Sequence, residues 1–596
     1  MNRNWNRSIR LLGLLVVGSV VLSACSGGPP APAKPETKTE AKPTAAVSQP
    51  KVEFQPKVDA QPKADAKTKP DAAIQAPPPF ANPKVNRLVM GIVPPALETN
   101  AIRDLTPTII WQLKPMYEYL LMVDGTTGKL IPGLATEWSQ EGDGKTFRMK
   151  LRKGVQFHDG MGEFTAQDVV FTWKDVTDPA AQYSDAQVFR DMIKDIQIVN
   201  DYEVVFTLDQ NAPFFLYWVS QGQGGFEIRS KKSSEAVGPA PGMDLRPLAG
   251  TGPYQFKERA QAQFIRFDRV PYSHWRVNPD FPEFEYRFQR EPSTRAASLQ
   301  ASETHLTALP QDLLAQSEKQ GMKLVTGSAA GPRIFLNISC CFIKDVATLT
   351  GQVFPDSPLL DVKVRKALQK AINLDELNKA FFAGKGQPMV QTHMHPNSPG
   401  WNPEWVTKFA DEYGYDPAAA KALLLEAGFS ATKPLQTNLH LVNLPQFPGT
   451  LDVVEAVGGY WRAVGVQPEM PQIDQGEITQ RQRQMAFRND FFISGTSSVE
   501  FIGTSAYWTS VLPRNSGYED PTLDSIFLKV RSETDEVKRT ELWRQLGDYA
   551  FLTHPSINLF WLPAEGLVNP QVVGEYVFPG SITGTWTHVE YIKTAK

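Results

Sequence analysis

Eight histidines and three cysteines are the side chains of this 596-residue chain best suited to metal or nucleophilic chemistry. His393-Met394-His395 is the one close histidine pair. Two imidazoles around a thioether suit nickel or copper, but two ligands do not close a site, and the run continues as a Pro-rich loop, HPNSPGW. Cys340 and Cys341 are neighbours. They either close an eight-membered disulfide ring or stand as two buried thiols at a strand end, and no C-x-x-C or zinc spacing accompanies them. No G-x-S-x-G elbow, H-E-x-x-H, E-x-x-H pair or Walker A run occurs. Gly222-Gln223-Gly224-Gly225 falls short of a dinucleotide loop, because position 227 is Glu and no βαβ pattern surrounds it. No residue set therefore supports catalysis, a resident metal or a cofactor.

The third cysteine has a different context. Arg3, Arg7 and Arg10 form a positive n-region, residues 11–22 are apolar, and Leu22-Ser23-Ala24-Cys25 closes the run with small residues before the thiol. About twelve apolar residues are too few to cross a ~30 Å hydrocarbon layer. The pattern is that of a lipoprotein signal, in which residues 1–24 are removed and Cys25 carries the acyl chains. An ordinary secretory signal with a chance cysteine is the alternative. Two or three chains anchor stably at ~0.8 kcal/mol per buried methylene.

Residues 25–85 hold Pro, Ala, Lys and scattered acids, with repeats such as Lys34-Pro35 and Lys42-Pro43, and lack the apolar residues needed for a core. They read as a disordered tether with a reach of about 45 Å. The rest is globular in composition, 41% hydrophobic and 21% charged. Formal charge is −3, and about −6 once the three leader arginines are removed, so no basic face marks nucleic acid as a partner.

The elements that must position a site are legible in residues 130–176. Phe147, Met149 and Leu151 alternate with charged residues over 145–152, the period of a half-buried strand. Thr165 with Asp168 reads as a helix cap, followed by Val169, Trp173 and Val176 on one face. Strands are further expected at 87–93, 203–208, 263–269, 284–289, 333–339 and 555–562, and an apolar helical segment broken by Pro115 at 105–121. Asp361 and Asp416 read as caps of helices, the second with Pro417 at its first position and Gly428 past its end.

The same residues resemble the signature of the family 5 extracellular solute-binding proteins, the peptide and nickel receptors of ABC importers. The resemblance rests on Pro132, Leu134-Ala135, Trp138, Asp143-Gly144-Lys145-Thr146, Leu151-Arg152, Gly154-Val155, Phe157-His158-Asp159-Gly160, Thr165-Ala166 and Asp168-Val169-Val170. It continues at Gly250-Thr251-Gly252-Pro253-Tyr254-Gln255-Phe256, at the Asp361 to Ile372 helix, and at Asp416-Pro417 through Gly428.

The resemblance implies an α/β fold of two lobes with a hinge and a small inserted subdomain. It places lobe I at 86–120, 248–335 and 556–596, the insert at 121–247, and lobe II at 336–555. It implies a ligand cleft near Trp111, Tyr117, Tyr254, Trp401 and Trp508. In the peptide receptors a carboxylate in "W-x-A-D-Y-x-D-P" pairs with the ligand's amino group. Here the segment reads ISGTSSVEFI, with Gly495 or Thr496 for the tryptophan, Ser498 for the aspartate and Glu500 two residues late, followed by Tyr507-Trp508. Ser497, Ser498 and Glu500 are the expected contacts. The implied function is a monomeric, lipid-anchored receptor outside the cytoplasm, in the periplasm or on the outer face of the plasma membrane. It would close on a peptide-like solute and deliver it to an ABC permease and ATPase. A metal chelate or oligosaccharide as ligand, or a sensor or adhesin without transport, are the alternatives.

Overall fold

Phe147, Met149 and Leu151 are buried along Thr146–Leu151 while Lys150 is exposed, which gives the strand one wet face. At its neighbour helix, Ala166–Val176, the Thr165 hydroxyl accepts from Gln167 N and Asp168 accepts from Thr165 N at 3.0 Å, a reciprocal cap. Asp361 caps Val362–Lys370 and Asp416 caps Pro417–Glu426 by accepting from Lys363 N and Ala419 N, both at 2.8 Å. Gly428, at φ 87°, turns the chain out of the second helix in a conformation few other residues adopt.

These elements come from a computed structural model that describes residues 79–596 apart from residue 96 and residues 106–108, 142–143, 184, 213, 329–330, 397, 445–446, 448, 497–503, 505–507, 511–516 and 581–585. Two mixed sheets organise them. Among the described residues the first has seven strands, in the order Lys323–Thr326, Glu565–Val568, Leu306–Thr307, Arg87–Ile92, Glu283–Phe288, Phe264–Arg269, Tyr254–Ala260. Arg87–Ile92 runs parallel to both its neighbours, and the later pairs are antiparallel. The second sheet, counted the same way, has six strands: Gln387–Pro388, Ser556–Trp561, Arg333–Ser339, Asp490–Thr496, Gln436–His440, Gln467–Glu469. Two of its interior members, Arg333–Ser339 and Ser556–Trp561, are buried at every position, as strands covered on both faces must be. A separate antiparallel sheet of Ala135–Gln140, Thr146–Leu151, Glu203–Leu208 and Ile193–Asn200 lies within residues 121–247.

Two expectations need correction. Ser556–Trp561 does not return to the first sheet; it pairs with Arg333–Ser339 and Gln387–Pro388 in the second. Both chain crossings between the sheets therefore fall at 327–332 and 562–564, and positions 333–335 also belong to the second sheet. The crossings lie side by side: Gly327 N donates to Ala564 O at 2.8 Å and Leu562 N to Pro332 O at 2.7 Å. A Cβ on Gly331 would lie 1.9 Å from Leu562 O, so only glycine permits this approach.

The second correction concerns 105–121, whose described residues form no α-helix. They make two single 3₁₀ turns, Ile110–Gln112 and Lys114–Met116, before the short strand Leu121–Val123. The backbone there bonds sideways: Leu134 N donates to Tyr119 O, Ile228 N to Glu118 O and Gly252 N to Met116 O. Lateral partners thus replace the i−4 ladder that the apolar spacing suggested.

The inserted sheet's following loop reaches the second lobe. Asn211 Nδ2 donates to Ser532 O at 2.8 Å, at the end of helix Pro521–Ser532, and Phe214 packs edge-on to Trp543 of helix Glu536–Thr553 at 6.2 Å. Among the described residues no helix is long and apolar enough to cross a membrane.

Candidate ligand-binding site

The first lobe holds a small cavity, lined among others by Lys114, Tyr117, Gln221, Tyr286, Trp586 and Glu590. Pro115 and Tyr117 are placed by glycine. Cβ atoms on Gly250 and Gly252 would lie 2.0 Å from Met116 O and 2.7 Å from Pro115 O, so Gly250-Thr251-Gly252 packs directly on the Lys114–Met116 turn. The Tyr117 hydroxyl donates to Leu248 O at 2.7 Å. Trp111 packs edge-on to Tyr286 at 5.0 Å, so it backs the cavity wall. Burial lowers the Lys114 ammonium to about 7, against the opposing pull of Glu227 and Glu590. Burial alone would raise the Glu590 carboxyl, yet Arg276, at 2.8 Å, and His588 hold it below its usual range. His588 is neutral at pH 7, since burial lowers its pKa; Nε2 donates to Val123 O at 2.7 Å and Nδ1 accepts from Thr587 Oγ1 at 2.8 Å.

A buried network fixes this wall. Glu118 accepts from Thr251 Oγ1 at 3.0 Å, Trp275 Nε1 at 2.8 Å and Arg276 Nε at 2.8 Å. His158 of the signature turn reaches the same place, 2.8 Å from Gly252 O, and burial lowers its pKa to about 4, so it donates as a neutral ring. His158 is thus a strut joining the two most recognisable segments of the sequence.

Across the crossings, the second lobe presents a different cluster. Arg333 Nε donates to His393 Nδ1 at 3.0 Å and its guanidinium lies 5.0 Å over the Trp561 ring. His393 lies 4.9 Å from Trp508 and 5.1 Å from Phe335, and His395 meets Trp561 edge-on at 5.2 Å. Burial, then Arg333, holds the His393 imidazole far below its usual pKa. The two histidines of the HMH run meet different rings, His393 against Trp508 and Phe335 and His395 against Trp561, while Met394 packs near Gly547. Among the described residues no three His, Cys, Asp or Glu side chains gather as a metal site.

The structure gathers only some of the expected contacts. Tyr117 lines the first-lobe cavity, Trp111 backs it, and Trp508 joins Arg333 and His393. Tyr254 is fully buried and its hydroxyl donates to Phe281 O at 3.1 Å, a core position. Trp401 packs edge-on to Trp405 at 5.2 Å, and Trp405 in turn bonds Asp548, so Trp401 belongs to helix packing. Ser497, Ser498, Glu500 and Tyr507 lie outside the described residues, as does Cys25. A Cβ on Gly495 would lie 2.1 Å from the Phe447 ring, so an aromatic from another loop covers the place of the expected tryptophan. Lys114, Arg333 and Trp561 were not foreseen. A lone cation beside a proline, or heading an apolar strand, was the available signal. Cys340 and Cys341 are joined as a disulfide, and both their N–H groups donate to Gly517 O.

Two lobes linked by adjacent crossings, with polar and aromatic walls on both sides, define a solute-binding protein. The family model described as "Bacterial extracellular solute-binding proteins, family 5 Middle" matches residues 129–518, and the chain belongs to that family. The dipeptide-binding protein of Escherichia coli is 27% identical over 455 residues, 72% of this chain and 81% of that one. Among solved structures, the periplasmic binding protein DppA of Helicobacter pylori in complex with the peptide STSA matches at TM-score 0.68 and 20% identity, covering 86% of this chain and 98% of that one. NikZ of Campylobacter jejuni in complex with Ni(L-His) matches at TM-score 0.68 and 20% identity, over 85% and 99%. Both carry the same two-lobed α/β fold.

Proposed function

We propose that this chain is the peptide-binding receptor of an ABC importer and not an enzyme. Its leader is removed at Cys25, which is acylated and holds the protein to the membrane through the tether of residues 25–85. The lobes close on a peptide-like solute, and the closed form delivers it to a permease and its ATPase. Burial of the solute between two walls supplies the affinity difference that favours the closed state. The observation that carries the peptide reading is the E. coli dipeptide-binding relative, aligned along 72% of this chain.

The test is native mass spectrometry of the full chain, solubilised from its own host in mild detergent. Adducts that resolve into short peptides are expected, together with a lipid mass on Cys25. A single non-peptide adduct would replace the peptide reading by one of a metal chelate or saccharide.

A further inference from the structure

We propose that the Cys340–Cys341 disulfide positions the solute wall of the second lobe, acting on Trp508 through Gly517 and helix Pro521–Ser532. This rests on the receptor reading above and names what sets one of its walls. The bond joins neighbouring residues just past the Arg333–Ser339 strand. Along a strand, successive N–H groups point to opposite sides. Here Cys340 N and Cys341 N both donate to Gly517 O, at 2.9 and 2.8 Å. Two successive donors meet on one oxygen only where the chain turns out of the strand. The disulfide ring contains the peptide between its two residues, so it restricts the torsions on which that turn depends. A ring this small closes no long loop, and loop entropy gives it little stability. Placement is what the bond supplies.

The turn forms a seat for residues 517–519. A Cβ on Gly517 would lie 2.0 Å from Ser339 Oγ, and its φ is 110°, so only glycine fits against the strand end. Glu519 N donates to Cys341 O at 3.0 Å, and the Glu519 carboxyl accepts from Ile343 N at 2.6 Å. Asp520 follows as the cap of helix Pro521–Ser532, accepting from Thr522 N at 2.8 Å and Leu523 N at 3.1 Å. One turn further, Asp524 accepts from Ser510 N at 3.0 Å and Ser510 Oγ at 2.6 Å. Just before Ser510, Trp508 is fully buried against His393, whose Nδ1 accepts from Arg333 Nε. The disulfide lies a whole strand away from Arg333, roughly 20 Å at about 3.3 Å per residue, so it acts only through these contacts. The Arg365 guanidinium, 5.0 Å over the Tyr518 ring, holds the same segment independently. Opening the ring therefore leaves the segment docked and loosens its placement.

The test compares the full-length protein with a Cys340→Ala/Cys341→Ala variant, which keeps both N–H groups and removes the ring. Amide hydrogen exchange of the solute-free proteins is read by mass spectrometry with fragment-level resolution. Exchange at Glu519 and Ser510 should rise about threefold or more, while the amides of Arg333–Ser339 and Glu283–Phe288 keep their rates. The melting temperature should move by only a few degrees. Gly517→Ala, with the disulfide intact, should raise exchange at the same two residues. In a second arm, capture from an equimolar tripeptide library, measured by native mass spectrometry, should fall about threefold or more, because binding must then order the wall. Unchanged exchange at Glu519 and Ser510 in the folded double variant would overturn the proposal. So would a rise spread evenly over the chain, which marks a bond that only stabilises. Cys340→Ser/Cys341→Ser is the second variant, and failure of both to fold would overturn the proposal in the same way. Wild type that captures no peptide would count against the peptide reading alone, and the exchange arm would still decide this one.

Discussion

Arg276 Nε lies 2.8 Å from a carboxylate oxygen of Glu118, and both side chains are nearly sealed from water. Glu118 also receives Thr251 and Trp275, so one anion ties the GTGPY turn, the loop after the Phe264–Arg269 strand and the segment beside the cavity. Burial would raise its pKa, but His274 and Arg276 bring it down to about 2. Removing one partner of such a pair leaves a buried, uncompensated charge. Glu118→Ala should therefore cost about 3–5 kcal/mol in urea unfolding, with Glu118→Gln costing less. Because the folded pKa is depressed, this contribution is whole above the unfolded value and disappears as pH falls toward about 2. A Glu118→Ala protein of wild-type stability would show that the network is ornamental.

Glu519 has the opposite sign. Burial raises its carboxyl to about 7, although Ile343 N donates to it at 2.6 Å. Between the unfolded value near 4.5 and about 7 the folded state holds the proton more tightly, so this group's contribution declines as pH rises through that window. Glu519→Gln keeps an acceptor for Ile343 N and cannot ionise. The melting temperature of the variant minus that of wild type should become steadily more positive from pH 4.5 to 7. A flat difference would contradict the assignment.

His158, His305 and His554 are each lowered to about 4 by burial. Unfolded histidines take up protons near 6.5, so each of these sites favours unfolding as pH drops from 6.5 toward 4. Replacing His305, whose Nδ1 accepts from Val89 N at 3.0 Å, by Gln should reduce the acid sensitivity of unfolding in this range. Differential scanning calorimetry from pH 7 to 4 measures it.

Phe214 and Trp543 join the inserted sheet to the second lobe away from the cavity, and Asn211 bonds Ser532 beside them. Such a contact stabilises whichever arrangement of the lobes contains it. An aromatic pair of this kind contributes about 0.5–1.5 kcal/mol, so Phe214→Ala should change the rate of solute release roughly three- to tenfold. Stopped-flow dissociation of a captured peptide, compared with Phe214→Leu, checks it. An unchanged rate would mean that binding does not depend on this contact.

The Cys340–Cys341 disulfide closes almost no loop. On loop entropy a ring this small contributes only about 1 kcal/mol, against about 3 for a fifteen-residue loop. Full reduction under denaturing conditions, followed by refolding with reductant, should shift the melting temperature by only a few degrees.

Much of the fold was legible because its signals are local. Thr165 with Asp168, Asp416 with Pro417, and the alternation of Phe147, Met149 and Leu151 each act within a few residues, and each appears as expected. The crossing points were misplaced because the largely apolar run of Ser556–Trp561 fits an interior strand of either sheet. The site was less legible still. Lys114 meets Glu590 and Arg333 meets His393 only through the fold. Trp401, Trp508 and Tyr254 have the same composition signal, yet one packs helices, one neighbours His393 and one fills the core. Aromatic residues serve cores and clefts by the same physics, so only position separates them.

The order of strands also sets a timetable. Glu565–Val568 lies between Leu306–Thr307 and Lys323–Thr326, and Ser556–Trp561 lies between Gln387–Pro388 and Arg333–Ser339. Each sheet therefore keeps an interior gap until the last tenth of the chain has emerged. About 240 residues separate Thr326 from Glu565, which at 5–20 residues per second is a wait of roughly ten to fifty seconds. Throughout that interval the Arg333–Ser339 strand, buried at every position in the finished fold, has an open edge. A chain interrupted before about residue 555 can finish neither of the two large sheets, whereas the separate sheet within residues 121–247 has all its strands by Leu208.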